Sequence, residues 1–284
     1  ARSCGVEVSA LDQKNDGGVI KLAHRSQRKG ATTVSLFPGM VLEALASLPI
    51  PKRMRWGSSR NEFARPVQWA VLMAGSKPIN ASILGVQSGG ATRGHRFHHP
   101  ADIQLASPSD YKARLLEPGK VIADFAGRRE RIKFLIEQEG KKLGAKANID
   151  PVLLDEVTAL VEWPVALTGN FDTAFLSVPK EALISSMKGH QKFFHVLDGN
   201  DNILPHFITL SNLESRDPSQ VVAGNEKVIR PRLADAAFFF EQDKRNSLES
   251  RIEKLKTVVF QQELGTVYEK SKRVSLLATE IARI

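Results

Sequence analysis

Three histidines stand close together in RGHRFHHP, His95, His98 and His99. Their spacing of three and four would put two imidazoles on one face of a helix, a common start for a zinc site. Gly94 and Pro100 bracket the segment, so a loop is expected instead, and Arg93 and Arg96 would repel a cation. No metal site is expected. Two guanidinium groups, imidazoles and the ring of Phe97 suit an anion better, because arginine forks match phosphate and rings stack on a base or sugar. The loop is read as anion-facing or as a solvated edge. The single cysteine, Cys4, can form neither an intrachain disulfide nor a thiolate cage. There is no GxxxxGK[ST], no GxGxxG after a strand and no GxSxG elbow, so no catalytic residue is assigned.

Further cations fall in three groups. As a strand, MKGHQKFFH would carry Lys188, His190, Lys192 and Phe194 on one face, either toward RNA backbone or as the wet side of an antiparallel sheet. In GNEKVIRPRLADAAFFFEQD, Glu226, Lys227 and Arg230 are helically adjacent and Arg232 follows Pro231. These residues suit RNA contact or ion pairs such as Arg232 with Asp235 and Glu226 with Arg230, while Phe238, Phe239 and Phe240 look like core. Lys52, Arg53 and Arg55 form the last cluster. The net charge of +9 is segregated: residues 1–100 hold 14 Lys and Arg against 5 Asp and Glu, and residues 101–284 hold 26 of each. A localised basic surface is what a phosphate-binding protein needs.

Elements that position these groups follow from pattern and punctuation. Asn15 to Gly18 make a turn before an extended VIKLAH, and a helix is expected over 38–48. Pro49 and Pro51 make LPIPKRMRWGSSRNEFARP an irregular connector, followed by strand-like runs at 67–73 and 79–86 and a glycine-rich loop to Gly94. An amphipathic helix is expected over 121–136, and Asp150 with Pro151 opens another that stops at Pro164. VALTGNF, FLSV, KFFHVL and ILPHFITL read as strands, the last two joined as a hairpin through Asp198 to Asp201. Asp217 and Pro218 open a helical run interrupted at Pro231; Leu248 to Val259 and Leu264 to Ile284 continue as helix. The fold class is α+β, with a mixed or antiparallel sheet and a helical C-terminal extension. Of 284 residues, 42% are apolar and 25% charged, with no membrane-length apolar run and no secretory signal, so a cytoplasmic protein without membrane association is expected. The uncapped apolar helix at the end and the missing initiator Met suggest a piece of a longer chain.

LPIPKRMRWG, FARPVQW, ILGVQSGGATRGHRF, GKVIADF, LVEWPVALTGNF, SMKGHQKFF, GNEKVIRPRLADAAFFFEQD and VVFQQELGTVYEKSKRV, in this order, closely resemble the β chain family of the bacterial heterotetrameric glycyl-tRNA synthetases. The resemblance implies an assembly of two α and two β chains. In it the α chain binds ATP, Mg and glycine and forms the adenylate, and the β chain supplies most recognition of tRNA(Gly). It also implies that 1–245 is a module similar to the editing-type domain of the phenylalanyl-tRNA synthetase β chain, and that 246–284 begins an HD-type helical domain.

His98 and His99 lie past the matching segment, His190 stands where an acidic residue is expected, and no His and Asp pair of an HD hydrolase is present. Glycine has no side chain for an editing pocket to reject by size, so a tRNA-contacting or scaffold role is favoured over deacylation. The residues expected to face RNA are Arg93, His95, Arg96, Lys188, Lys192, Lys227, Arg230, Arg232, Lys52, Arg53 and Arg55. The rival expectations are an aminoacyl-tRNA deacylase and a scaffold that touches no RNA.

Overall fold

Gly17 and Gly18 adopt left-handed φ angles of +63° and +88°, which lets the chain reverse in two residues and pairs strand Asp12–Asp16 with Val19–Ala23, Asp16 opposite Val19. This hairpin opens a computed structural model that describes residues 2–27 and 29–283. The chain divides into two compact units, Ala1–Thr92 with Gln104–Tyr111, and Arg93–Ile103 with Lys112–Ile284.

In the first unit, helix α1 spans Thr33–Ser47, five residues earlier than its proline suggests. Thr32 caps it by accepting the Ser35 amide, so Pro38 sits inside the helix rather than at its start. The basic connector contains a short ladder, Met54–Arg55 with Glu62–Phe63. The two strand-like runs resolve into pieces of two to four residues, because Gly75 and the Leu84 and Gly85 pair turn the chain with positive φ. Val86–Gly89, expected as loop after Val86, is a strand that pairs in parallel with Ala70–Val71 and antiparallel with Ser82–Ile83. Ser88 is buried there and donates its hydroxyl to the Ile79 carbonyl at 2.7 Å.

The second unit holds the remaining helices beyond the short α2 (Tyr111–Leu116): α3 (Phe125–Lys142), α4 (Pro151–Leu160), α5 (Lys180–Ser186), α6 (Pro218–Lys244), α7 (Leu248–Ile252) and α8 (Val267–Ile281). Asp124, Asp150 and Asp217 cap α3, α4 and α6 by accepting backbone amides. Four antiparallel strands lie in the order Lys146–Ala147, Phe194–Leu197, Ile203–Ser211 and Val165–Asn170. Pro205 lies within a central strand, where its missing donor would break the ladder. The register slips between His195 and Leu197 on the neighbouring strand, and this bulge accommodates it. The turn between those strands is tied by the Asp198 carboxylate, which accepts the amides of Asn200 and Asn202 and the Asn202 side chain. Those donors hold the Asp198 carboxyl below its ordinary range, the Asn202 contacts most strongly.

Helices cover both faces of the sheet. On one face Ile132 and Ile136 of α3 and Leu153, Leu154 and Val157 of α4 pack with Phe194, Val196 and Ile208. On the other, Leu183, Met187, Ile229 and Leu233 pack with Phe193 and Phe207. Phe207 and Ile208 are neighbours in one strand and serve opposite cores, as the period of two requires. The rings of Phe193 and Phe207 stack at 4.3 Å and 9°.

Several expectations are corrected. The FLSV segment lies in a 3-10 turn, Thr173–Ser177, because Asp172 caps it. Helix α6 runs unbroken through Pro231. Pro231 is exposed and cannot donate the helix bond to the residue four before it, while the fully buried Ile229 and Leu233 hold the helix on either side. Phe238 and Phe239 are 58% and 63% exposed and stack edge to face on each other; only Phe240 packs against the core. Beyond α7 the chain enters a 3-10 turn, Glu253–Thr257, and a short strand, Val259–Gln261, instead of continuing as helix. Thr266 and Glu269 form a capping box that starts α8, and Ile284 lies outside the described residues.

Gly169 sits beneath the Phe207 ring, and a β-carbon there would collide with the ring edge. Gly169→Ala should therefore destabilise the protein by about 1–3 kcal/mol, the range for forcing an extra methyl into a packed core. Urea unfolding of the two proteins side by side measures it.

Candidate nucleic-acid interface

The histidine loop is organised from inside. His95 is 2% exposed, its backbone amide donates to the Gly119 carbonyl at 2.7 Å, and a β-carbon on Gly94 would strike Gly119. The His95 Nδ1 accepts the amides of Phe97 and His98, which leaves the proton on Nε2 to donate to the Asn212 carbonyl at 2.5 Å. Asn212 in turn accepts the amides of Glu162 and Trp163 with its side-chain oxygen, and His98 Nε2 accepts the amide of Glu214. His95, expected to face RNA, thus clamps the loop to the end of the long strand and offers nothing to a phosphate. Arg93 pairs with Asp102 at 3.1 Å, and Arg96 is exposed with no carboxylate partner among the described residues. Nor do three potential ligands converge as a metal site among those residues.

Lys188 and Lys192 do not lie on a strand. Residues Met187–Gln191 form a π-turn that prolongs α5, Lys192 follows with φ +59°, and the strand begins only at Phe194. Strict alternation fails because Phe193 and Phe194 are both buried, each in a different core. The turn brings Lys188 to 2.7 Å from Asp150 and Lys192 to 2.8 Å from Glu156. Lys188 holds the Asp150 carboxyl below its ordinary range, helped by the Leu153 amide. Nearby His195 is pushed down, first by burial, then by the Lys188 charge, with Asp150 pulling partly back, so the neutral imidazole is favoured.

In the first unit, Arg53 donates to the Ala46 and Leu48 carbonyls and caps the C-terminal end of α1, where orphan carbonyls and the helix dipole both favour a cation. Arg55 pairs with Glu62 at 2.6 Å across its ladder. Lys52 stays exposed and unpaired among the described residues.

Helix α6 behaves differently. Glu226 accepts the Asn170 amide at 2.8 Å, at the end of the edge strand, and so does not pair with Arg230. The expected bond between Arg232 and Asp235 is also absent among the described residues. Lys227, Arg230 and Arg232 are all exposed, and no carboxylate among the described residues neutralises them. One rigid helix thus carries three uncompensated cations, with Val228 and the Phe238 and Phe239 pair also in solvent. The sequence signal for this was the cluster itself; its unpaired state depends on where Glu226 is spent.

Helix α6 thus presents a cluster of exposed cations, Lys227, Arg230 and Arg232, on an α+β scaffold. The family model for the glycyl-tRNA synthetase beta subunit matches residues 1–284. The glycine–tRNA ligase beta subunit of Hahella chejuensis is 53% identical over 282 residues, 99% of this chain and 41% of the relative. Those of Marinobacter nauticus and Chromohalobacter salexigens are 54% and 52% identical, with the same coverage. This chain belongs to the glycyl-tRNA synthetase beta subunit family, and it spans 41% of the length of these relatives.

Asp150 caps α4 and pairs Lys188, so its two roles can be separated. Asp150→Asn keeps the cap, whereas Asp150→Ala loses it and should cost about 0.5–2 kcal/mol at pH 7. Because the folded carboxyl titrates below the unfolded one (~3.9), its contribution is complete above that value and lost as pH falls through the folded one. Urea midpoints at pH 7 and in acid should show a smaller acid-induced fall for Asp150→Asn than for the parent.

Proposed function

We propose that this chain is a tRNA-binding and assembly part of a glycine–tRNA ligase beta subunit. It supports the ATP-dependent attachment of glycine to tRNA(Gly) at the active site of an α chain, where ATP and Mg act. The observation that carries the reading is α6: Lys227, Arg230 and Arg232 lack carboxylate partners among the described residues, while Lys188, Lys192 and Arg55, on other elements, are paired. Free cations on a rigid element release counterions when they meet phosphate, and they position a polyanion without reading its sequence.

In this role the chain contributes by proximity. Holding tRNA so that its acceptor end reaches the adenylate on the α chain removes rotational and translational freedom before the chemical step. Arg96 and Lys52 join α6 as contact candidates. Arg93, Lys188, Lys192, Arg53 and Arg55 would first have to leave the partners they hold. The antiparallel sheet with helices on both faces supports a likeness of 1–245 to the editing-type module of the phenylalanyl-tRNA synthetase β chain. The helices and turns after 246 are read as the start of an HD-type domain, and the assembly as two α and two β chains. No helix among the described residues is long and apolar enough to cross a membrane.

The test is charge reversal at Lys227, Arg230 and Arg232 to Glu in the full beta subunit assembled with its α chain. Affinity for tRNA(Gly) should fall about tenfold or more, and the slope of log affinity against log salt should flatten by about 0.9 for each phosphate that is no longer neutralised. Unchanged affinity in an intact assembly would support the scaffold role instead. Hydrolysis of a mischarged tRNA ester by the beta subunit would support deacylation.

A further inference from the structure

Tyr268, in the first turn of α8, lies against two lysines. Lys272 Nζ, one turn further along the helix, is 4.8 Å from the ring centroid, and Lys256 Nζ, from the Glu253–Thr257 turn, is 4.9 Å away. The two ammonium groups are therefore no more than about 10 Å apart, held by one aromatic quadrupole. Lys272 has no carboxylate partner among the described residues, whereas Lys256 is ion-paired with Glu253 at 2.6 Å and would exchange that exposed, weak pair for a phosphate. The other acid beside them, Glu269, is occupied by the amide and hydroxyl of Thr266.

A lysine on a flexible four-carbon stem loses rotamer entropy when it grips an anion. A ring that already restrains two such stems removes part of that loss, which is preorganisation for binding. The opposite side of α8 carries Val274, Leu277 and Ile281, all more than half exposed. Leu276, 70% exposed, continues the Tyr268 and Lys272 row one turn further, so the cationic face is confined to the start of α8, and that end is the one suited to meet solvent and polyanion.

We propose that Lys256, Tyr268 and Lys272 form an RNA-backbone contact separate from α6, with the two ammonium groups engaging phosphates of a tRNA strand and the ring fixing their separation. The inference rests on the tRNA-binding reading above and assigns a further site for the same class of ligand.

The experiment uses the full beta subunit assembled with its α chain and a tRNA(Gly) transcript, titrated across salt. Lys256→Gln with Lys272→Gln should weaken binding about three- to thirtyfold and flatten the salt slope by about one to two. Tyr268→Ala should weaken it several-fold and Tyr268→Phe should not, because the phenylalanine ring keeps the quadrupole. If the lysine pair variant keeps the parent affinity and slope while the α6 reversal loses them, this inference alone is overturned. If neither variant changes either quantity, the tRNA-binding reading falls with it. Retained tRNA affinity with impaired α-chain assembly would assign the lysines to an acidic protein surface and also overturn the proposal.

Discussion

The packing of Phe207 over Gly169 sets the geometry of the larger unit. Because the glycine has no side chain, the far end of the Phe207 ring can lie against the neighbouring strand, and Phe193 stacks on the same ring at 4.3 Å. That stack defines the level at which Ile229 and Leu233 of α6 dock, and Glu226 then reaches the amide of Asn170, at the end of the strand that contains Gly169. The position of the helix that carries the 227–232 cations is therefore fixed by an apolar contact and one charge-assisted hydrogen bond on its inner side. Its outer side is left with cations that the fold does not need.

The same distinction separates the other basic residues. Exposed ion pairs add little stability, typically below about 1 kcal/mol, so most pairs on this surface are weak restraints. Arg53 and His95 differ because each satisfies buried or terminal backbone groups: the carbonyls at the end of α1, and the carbonyl of Asn212. Removing such a partner leaves a backbone group unpaired, which costs more than removing a surface charge. Basic residue types thus divide into those spent on the backbone, those restrained by carboxylates, and those free to meet a ligand.

Much of the architecture was legible. Aspartates before prolines at Asp150 and Asp217 announced two helix starts, the Asn15 to Gly18 segment announced a turn and the Asp198 to Asp201 segment a hairpin, because capping and positive φ are local demands. Errors came where tertiary contacts override local signals. Pro231 reads as a break, yet buried residues on either side carry the helix through it. The alternating MKGHQKFFH reads as a strand, yet both sheet faces demand an aromatic, so consecutive phenylalanines enter different cores and the lysines turn onto α4 carboxylates.

Family membership, the α+β class and the basic bias were determined by the sequence alone, since they rest on residue identity and order. Which cations remain free was decided only by the folded chain. A polar side chain is engaged by whatever lies within a few ångströms, and for Glu226 that neighbour is the backbone amide of Asn170, 56 positions away along the chain. For His95 it is Asn212, 117 positions away. Separations of that kind leave no periodicity to read, because they are set by how the sheet and its covering helices pack.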